Sequence, residues 1–360
     1  MDIKSRIEAF RASMEKHGID AAWISSPENH LYLSGFANPD GRIFITAEKA
    51  YLFADFRYAE NARRLCSGSF EVIEPKGAMI KYLPEIIAEC GAVYVGYEEA
   101  TLICSEFERL KNELSGCEFA HVSALLTELR RTKSEDEVKK MAAAQDIADA
   151  AFSHILGFIN PSRTEAEVAC ELEYFMKKNG ADGIAFETIA VSGKSSSSPH
   201  ASPAQRLLEP GFLTMDYGAT VEGYRSDMTR TVVLGHADEE MKRLYDTVLR
   251  AQEAGLKAVR AGDDCAKIDA AARDIIDGAG YKDAFGHSLG HGVGLEIHES
   301  PNLSPNASGK VLRVGDVVTV EPGIYLEGKY ACRIEDMVLV TVDGILNFTH
   351  STKELIEIAD

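Results

Sequence analysis

Apolar residues recur at helical spacing from the start of the chain. Ile3, Ile7, Phe10 and Met14 lie three or four positions apart with charges between them, which predicts an amphipathic helix that Gly18 stops. Short apolar runs follow, AAWISS (21–26), RIFITAEKAYLFAD (42–55) and AVYVGYE (92–98), set among helical stretches around 79–89 and 104–114. That alternation predicts an α/β domain with a mixed sheet. The pattern changes at LRRTKSEDEVKKMAAAQ (129–145), where Glu135, Asp136 and Glu137 behind Ser134 suit the first turn of a long helix to about 158. A second helix is expected at about 164–179. Beyond it the chain reads as strand-rich, broken by amphipathic helices near 238–261 and 265–278, which is α+β order. The expected domains are therefore 1–127 and 128–360.

One long-range echo stands out. LTMDYGATVEGY (213–224) and VTVEPGIYLEGK (318–329) align at a constant offset, with Thr214/Thr319, Gly218/Gly323, Glu222/Glu327 and Gly223/Gly328 identical and Asp216 over Glu321. Each copy reads as an apolar strand, an acid, a glycine turn and a return strand with a second acid, Asp227 in SDMTRTVVL and Glu335 in RIEDMVLV. Two such hairpins, each offering two inward carboxylates, predict a duplicated half-domain with pseudo-twofold symmetry.

Composition narrows the function classes. At 360 residues the chain exceeds the usual size of a single core, and 45% hydrophobic with 26% charged residues is ordinary for a soluble globular protein. The net charge of −19 repels nucleic acid and anionic membranes, so neither is expected as a partner. No apolar run approaches the roughly 18 residues of a membrane span, and the first helix is too charged for a signal peptide. Seven cysteines, odd in number and without a CxxC pair, suit a reducing compartment and are expected as buried thiols. The expected location is the cytoplasm.

The candidate chemistry lies in the four acids and in GHSLGHGVGLEIHES (286–300). Alone, any one acid could cap a turn or pair with Arg225, Arg230 or Arg333. Four carboxylates converging in a low-dielectric interior repel one another and must bind protons or cations, and two divalent ions would resolve that conflict. His291, between Gly290 and Gly292, can approach a crowded centre because its neighbours lack side chains. The glycines exclude a helix from His291 to His298, leaving a strand or loop.

These residues carry a family resemblance. MDYGATVEGYRSDMTRT, GHSLGHGVGLEIHE, VEPGIY and RIED resemble the pita-bread dinuclear metallopeptidases, in the branch of Xaa-Pro aminopeptidase and Xaa-Pro dipeptidase (prolidase), and the N-terminal segment resembles their creatinase-like domain. The resemblance implies a pita-bread catalytic domain behind a smaller α/β domain, with Asp216, Asp227, His291, Glu321 and Glu335 as metal ligands and Asp227 and Glu335 bridging. It places His200, in SSSSPHASP, near the substrate, His298 at the scissile carbonyl and His287 on the pocket wall, with Glu321 shuttling the proton. Arg333 remains available to bind substrate. The serine run Ser195–Ser198 is read as a flexible loop without a role. The implied cofactors are two divalent ions, manganese first, with cobalt, iron or zinc as alternatives for a one-nitrogen, oxygen-rich ligand set. The implied substrates are proline-containing peptides, and family precedent suggests a homodimer.

The dipeptidase must hold the free carboxylate of Xaa-Pro. Several dipeptidases resemble this chain at HESPNL (298–303) but place Arg where Asn302 stands, and an amide cannot form a guanidinium's bidentate ion pair. The expectation is thus an Xaa-Pro aminopeptidase, with the dipeptidase as the alternative. A non-catalytic peptide-binding module would be expected to lose ligands, and a metal-free creatinase-like hydrolase does not need them. Methionine aminopeptidase usually lacks an N-terminal domain of this size.

Overall fold

The computed structural model describes residues 2–359. Two compact units divide the chain, the first ending at Arg130 and the second beginning at Arg131.

The first unit is built on a six-stranded mixed sheet. Its strands run in the order Glu71–Ile73, Ala50–Phe53, Arg42–Thr46, Ala21–Ile24, Tyr94–Tyr97 and Glu118–His121. Ala21–Ile24 pairs antiparallel with Arg42–Thr46 and parallel with Tyr94–Tyr97. Every residue of Ala21–Ile24 and Ala50–Phe53 is buried, as strands covered on both faces require. The first helix, Ile3–Lys16, is capped by Asp2, whose side chain accepts from the Ser5 N–H, and it buries Ile7, Phe10 and Met14. The helices Pro27–Ser34 and Ala59–Cys66 lie outside the sequence expectation. The first of these is written in punctuation more than in periodicity: Ser26 caps it, Pro27 opens it and Gly35 closes it in the left-handed region at φ 65°.

The second unit repeats one arrangement. Helices Glu135–Ile155 and Glu165–Lys178 pack on the sheet ordered Glu357–Ile358, Met228–Leu234, Gly211–Tyr217 and Ile189–Ser192. Helices Glu239–Ala258 and Cys265–Ile276 pack on the sheet ordered Glu299–Leu303, Gly290–Gly292, Val317–Val320, Asp336–Val340 and Ile345–Asn347. Ser134 and Thr164 form capping boxes with Glu137 and Glu167, while Asp238 and Asp264 cap the second pair, so each helix start is fixed locally.

The aligned segments occupy equivalent places. Gly211–Tyr217 pairs with Met228–Leu234, and Val317–Val320 pairs with Asp336–Val340. Between outgoing and return strands each copy inserts a small hairpin, Ala219–Val221 with Tyr224–Arg225 and Gly323–Leu326 with Tyr330–Arg333. Glu222 and Gly223 turn the first of these with φ of 48° and 83°, the two-residue turn that matches strand twist.

The cysteine expectation is only partly met. Cys66, Cys265 and Cys332 are buried, Cys117 is half-buried, and Cys90, Cys104 and Cys170 are exposed on helices whose apolar faces are filled by other residues. All seven are free thiols. Among the described residues, no helix is long and apolar enough to cross a membrane.

The two halves are tied by a buried ionic knot. Arg230, 1% exposed, donates to Asp336, 0% exposed, at 2.9 Å and to the carbonyls of Thr229, Glu335, Ser351 and Thr352. Lys353 and Asn347 donate to the other Asp336 oxygen at 2.7 and 2.9 Å. Removing one partner of such a pair strands the other charge. Asp336→Ala is expected to lower the unfolding free energy by about 3–5 kcal/mol, measured by urea denaturation; a loss under about 1 kcal/mol, the scale of an exposed pair, would contradict this role.

Candidate active site

The ends of paired strands bring the carboxylates together. Asp227 and Glu335 immediately precede the return strands Met228–Leu234 and Asp336–Val340, and Glu321 immediately follows Val317–Val320. Asp216 lies opposite Thr229 in the strand pairing. Asp216, Asp227, Glu321 and Glu335 all line one cavity of about 530 Å³, together with His200, His287, His291, His298 and Arg333. The candidate metal ligands, the three further histidines and Arg333 thus line the same wall. The cavity also carries Phe186, Ile189, Ile297, Asn302 and Tyr325, and its size suits a small ligand.

Glu335, Asp216 and Glu321 are each held from behind. The Thr229 hydroxyl donates to Glu335 at 2.7 Å and accepts from Arg333 Nε at 2.9 Å. Arg333 Nη2 donates to Asp216 Oδ2 at 2.6 Å, and the Thr319 hydroxyl donates to Glu321 at 3.2 Å. His291 is the centre's nitrogen. Its Nδ1 donates to the Gly292 carbonyl at 3.1 Å, which turns Nε2 toward Glu321 at 3.3 Å and Asp227 at 3.5 Å. The glycines beside it are needed for fit: a Cβ at Gly290 would run into the Thr319 carbonyl, and one at Gly292 into the Ser300 carbonyl.

The electrostatics are those of a cation site. Burial, and the charge of neighbouring acids, push the Asp227 and Glu335 carboxyls far above the usual range. Burial also raises Asp216, although Arg333 opposes it. Burial acts to raise Glu321 as well, but His291 outweighs it and brings that carboxyl down to about 2, while the same contact raises His291 against its own burial. Asp216 Oδ1 is buried and has no hydrogen-bond partner. An orphaned acceptor beside three more acids is costly unless a cation meets it. One ligand atom from each of Asp227, His291 and Glu335 lies within 4.8 Å of the others, so this donor set fits a divalent metal centre.

A hydrogen-bond relay fixes the neighbouring histidine. Arg333 Nη1 donates to the Tyr325 hydroxyl at 2.8 Å, which donates to His287 Nε2 at 2.9 Å, and His287 Nδ1 donates to the Ser288 carbonyl at 2.8 Å. Burial pushes the His287 imidazole down, consistent with a neutral ring whose nitrogens are both engaged. Arg333 lines the cavity, but three of its N–H groups are committed to Thr229, Tyr325 and Asp216. Its first work is therefore to hold the site. His298 is exposed, with its ring 4.3 Å from that of His291. Burial and the His291 charge lower its affinity for a proton.

The serine run departs from expectation. Gly193–Ser197 forms a short 3-10 helix, and the hydroxyls of Ser196 and Ser197 accept from the backbone N–H groups of Ala331 and Gly328 at 2.9 and 3.2 Å. It is thereby fastened to the hairpin that carries Tyr325 and Arg333. Thr229 and Tyr325 were missed in the sequence. Thr229 was legible through its two-residue spacing from Asp227, whereas nothing local in GIYLEG marks Tyr325.

Known proteins share this arrangement. Residues 139–342 match metallopeptidase family M24, and residues 6–132 match the creatinase/prolidase N-terminal domain. An Xaa-Pro dipeptidase of Pyrococcus horikoshii is 38% identical over 360 residues, covering 99% of this chain and 100% of the relative. The solved Xaa-Pro dipeptidase from Bacillus anthracis has a TM-score of 0.95 at 39% identity, covering 99% of this chain and 100% of that one. An X-Pro aminopeptidase from Thermotoga maritima has a TM-score of 0.89 at 36% identity, covering 96% and 100%. With both domains matched and whole-length relatives well above 30% identity, the chain belongs to metallopeptidase family M24, as a pita-bread catalytic domain behind a creatinase-like N-terminal domain.

Proposed function

We propose that this protein is an Xaa-Pro peptidase that acts first on dipeptides. The observation that carries the reading is the cavity of four buried carboxylates and His291, in a chain similar over its whole length to proteins named Xaa-Pro dipeptidase. Asn302 on the cavity wall had favoured the aminopeptidase. Whole-length similarity outweighs one wall position, so the order of the two activities is reversed here. The aminopeptidase stays as the second reading, supported by Asn302 and by the Thermotoga maritima neighbour.

In this reading Asp216, Asp227, His291, Glu321 and Glu335 hold two divalent ions, with manganese the first candidate for the oxygen-rich set. Such ions, when bound, supply an activated water near neutral pH and polarise the carbonyl. Glu321 takes the proton of the attacking water and returns it to the proline nitrogen as the C–N bond breaks. His298 donates a hydrogen bond to the carbonyl oxygen as charge develops there, and His200 contacts the substrate from the opposite loop. The neutral His287 offers its ring as a wall, held by Tyr325 and Arg333. Arg333 keeps N–H groups beyond its three bonds, and these are the cationic donors nearest to hand for a dipeptide carboxylate.

Three measurements test this. The Mn²⁺-loaded protein is expected to cleave an Xaa-Pro dipeptide faster than the same sequence extended by several residues; preference for the longer peptide would restore the aminopeptidase, and cleavage of neither would overturn both. Glu321→Ala is expected to leave no measurable turnover, because it removes a ligand and the proton carrier together, while His298→Ala retains activity reduced by about 10²–10⁴-fold. Equal activity in wild type and Glu321→Ala would end the mechanism. Thr229→Val, which releases both Glu335 and Arg333, is expected to weaken metal retention by about 10–100-fold without unfolding the chain, read by equilibrium dialysis against a competing chelator; unchanged retention would remove Thr229 from the site.

A further inference from the structure

His200 stands on a segment with little structure of its own. From Ser198 to Arg206 no regular helix or strand is formed, yet His200 lines the cavity. The first turn of the helix Glu165–Lys178 supplies what the segment lacks. Its N–H groups at Glu165 and Ala166, which have no partner within the helix, donate to the carbonyls of Arg206 and Ala204 at 3.1 and 3.0 Å. The Glu165 side chain, 0% exposed, then accepts from both ends of the segment. On one side are the Ser192 N–H at 2.8 Å, the Ser192 hydroxyl at 3.2 Å and the Ser195 hydroxyl at 2.8 Å. On the other are the Ala204 N–H at 3.2 Å and Arg206 Nε at 2.8 Å.

Four of these donors fill the acceptor positions of the buried carboxylate, and the Ser195 hydroxyl shares its one proton between Glu165 and the Ser192 carbonyl at 2.6 Å. Burial acts to raise the Glu165 carboxyl, but Arg206, Ser192, Ser195 and Ala204 together hold it below its usual range, so the clamp is charged at neutral pH. Charge-assisted bonds are shorter and stiffer than neutral ones. Because the donors lie on both sides of His200 in sequence, a single group sets both ends of the loop that presents it.

We infer that Glu165 is a positioning residue of the peptidase site: its carboxylate clamps residues 192–206 at both ends and thereby fixes where His200 stands on the cavity wall. The inference rests on the peptidase reading above. It assigns a function to the serine-rich segment, whose Ser195 is one of the clamped donors.

The test is a mutant cycle in the metal-loaded enzyme. Glu165→Gln replaces an acceptor oxygen by an NH₂ group facing donors. It is expected to lower kcat/KM on an Xaa-Pro dipeptide by about 10–100-fold, the scale of a misplaced site group, with metal content per chain unchanged. In a His200→Ala background the same change is expected to cost less than about 2-fold, because two residues acting through one contact are not additive. Ser195→Ala, which buries no charge, is expected to give a smaller loss that also vanishes in that background, and it carries the cycle if Glu165→Gln fails to fold. Equal losses in both backgrounds would make Glu165 a fold residue only and overturn the inference. Amide hydrogen exchange over 192–206 reads the clamp without catalysis: it is expected to quicken in Glu165→Gln, and unchanged exchange overturns the clamp. Quickened exchange in a protein that cleaves no Xaa-Pro peptide would instead overturn the peptidase reading and leave the clamp standing.

Discussion

The mutual repulsion of four carboxylates, removed from water and aimed into one cavity, is the constraint on which the catalytic unit depends. Isolated acids in such surroundings take up protons, and Asp216, Asp227 and Glu335 are all pushed in that direction. Glu321 escapes because His291 stands against it. The arrangement is one that a divalent cation relieves, and the contact of His291 with Glu321 relieves it only in part. A site whose own charges oppose its assembly must be held by surrounding structure, and much of the second unit can be understood as that support.

Duplication is how the support is built. Each half contributes one strand pair with two acids, so the burden of placing four charges is divided between two similar hairpins backed by similar helix pairs. The seam is closed behind the acids by Arg230 and Asp336, one residue past Thr229 and Glu335 respectively, with Arg230 on the opposite face of its strand from Thr229. On the cavity face Thr229 and Arg333 link the acids across the same seam. The site and the Arg230–Asp336 knot are thus built on neighbouring positions of the same strand pairs.

Much of this was legible in the sequence, for identifiable reasons. The helices with caps and long periodic faces, such as Glu135–Ile155 and Glu239–Ala258, were visible because both marks agree. Pro27–Ser34 was missed because eight residues give periodicity little room. The acids and histidines could be collected because the aligned hairpins repeat and because glycines crowd around His291. What could not be read were bonds made at long range. Tyr325 enters the site through Arg333 and His287, and Glu165 acts on residues about 30 to 40 positions away along the chain, so neither carries a local mark. The commitment of Arg333 to Asp216 also follows from the fold alone.

The most direct test is calorimetric titration of metal-free protein with Mn²⁺, in wild type and in Glu335→Ala. If the buried acids exist to hold cations, wild type binds two ions per chain and the variant loses at least one of them, with the thermal midpoint rising on binding in wild type. A wild-type chain that binds no ion, or a variant that binds both as tightly as wild type, would contradict the account at its centre.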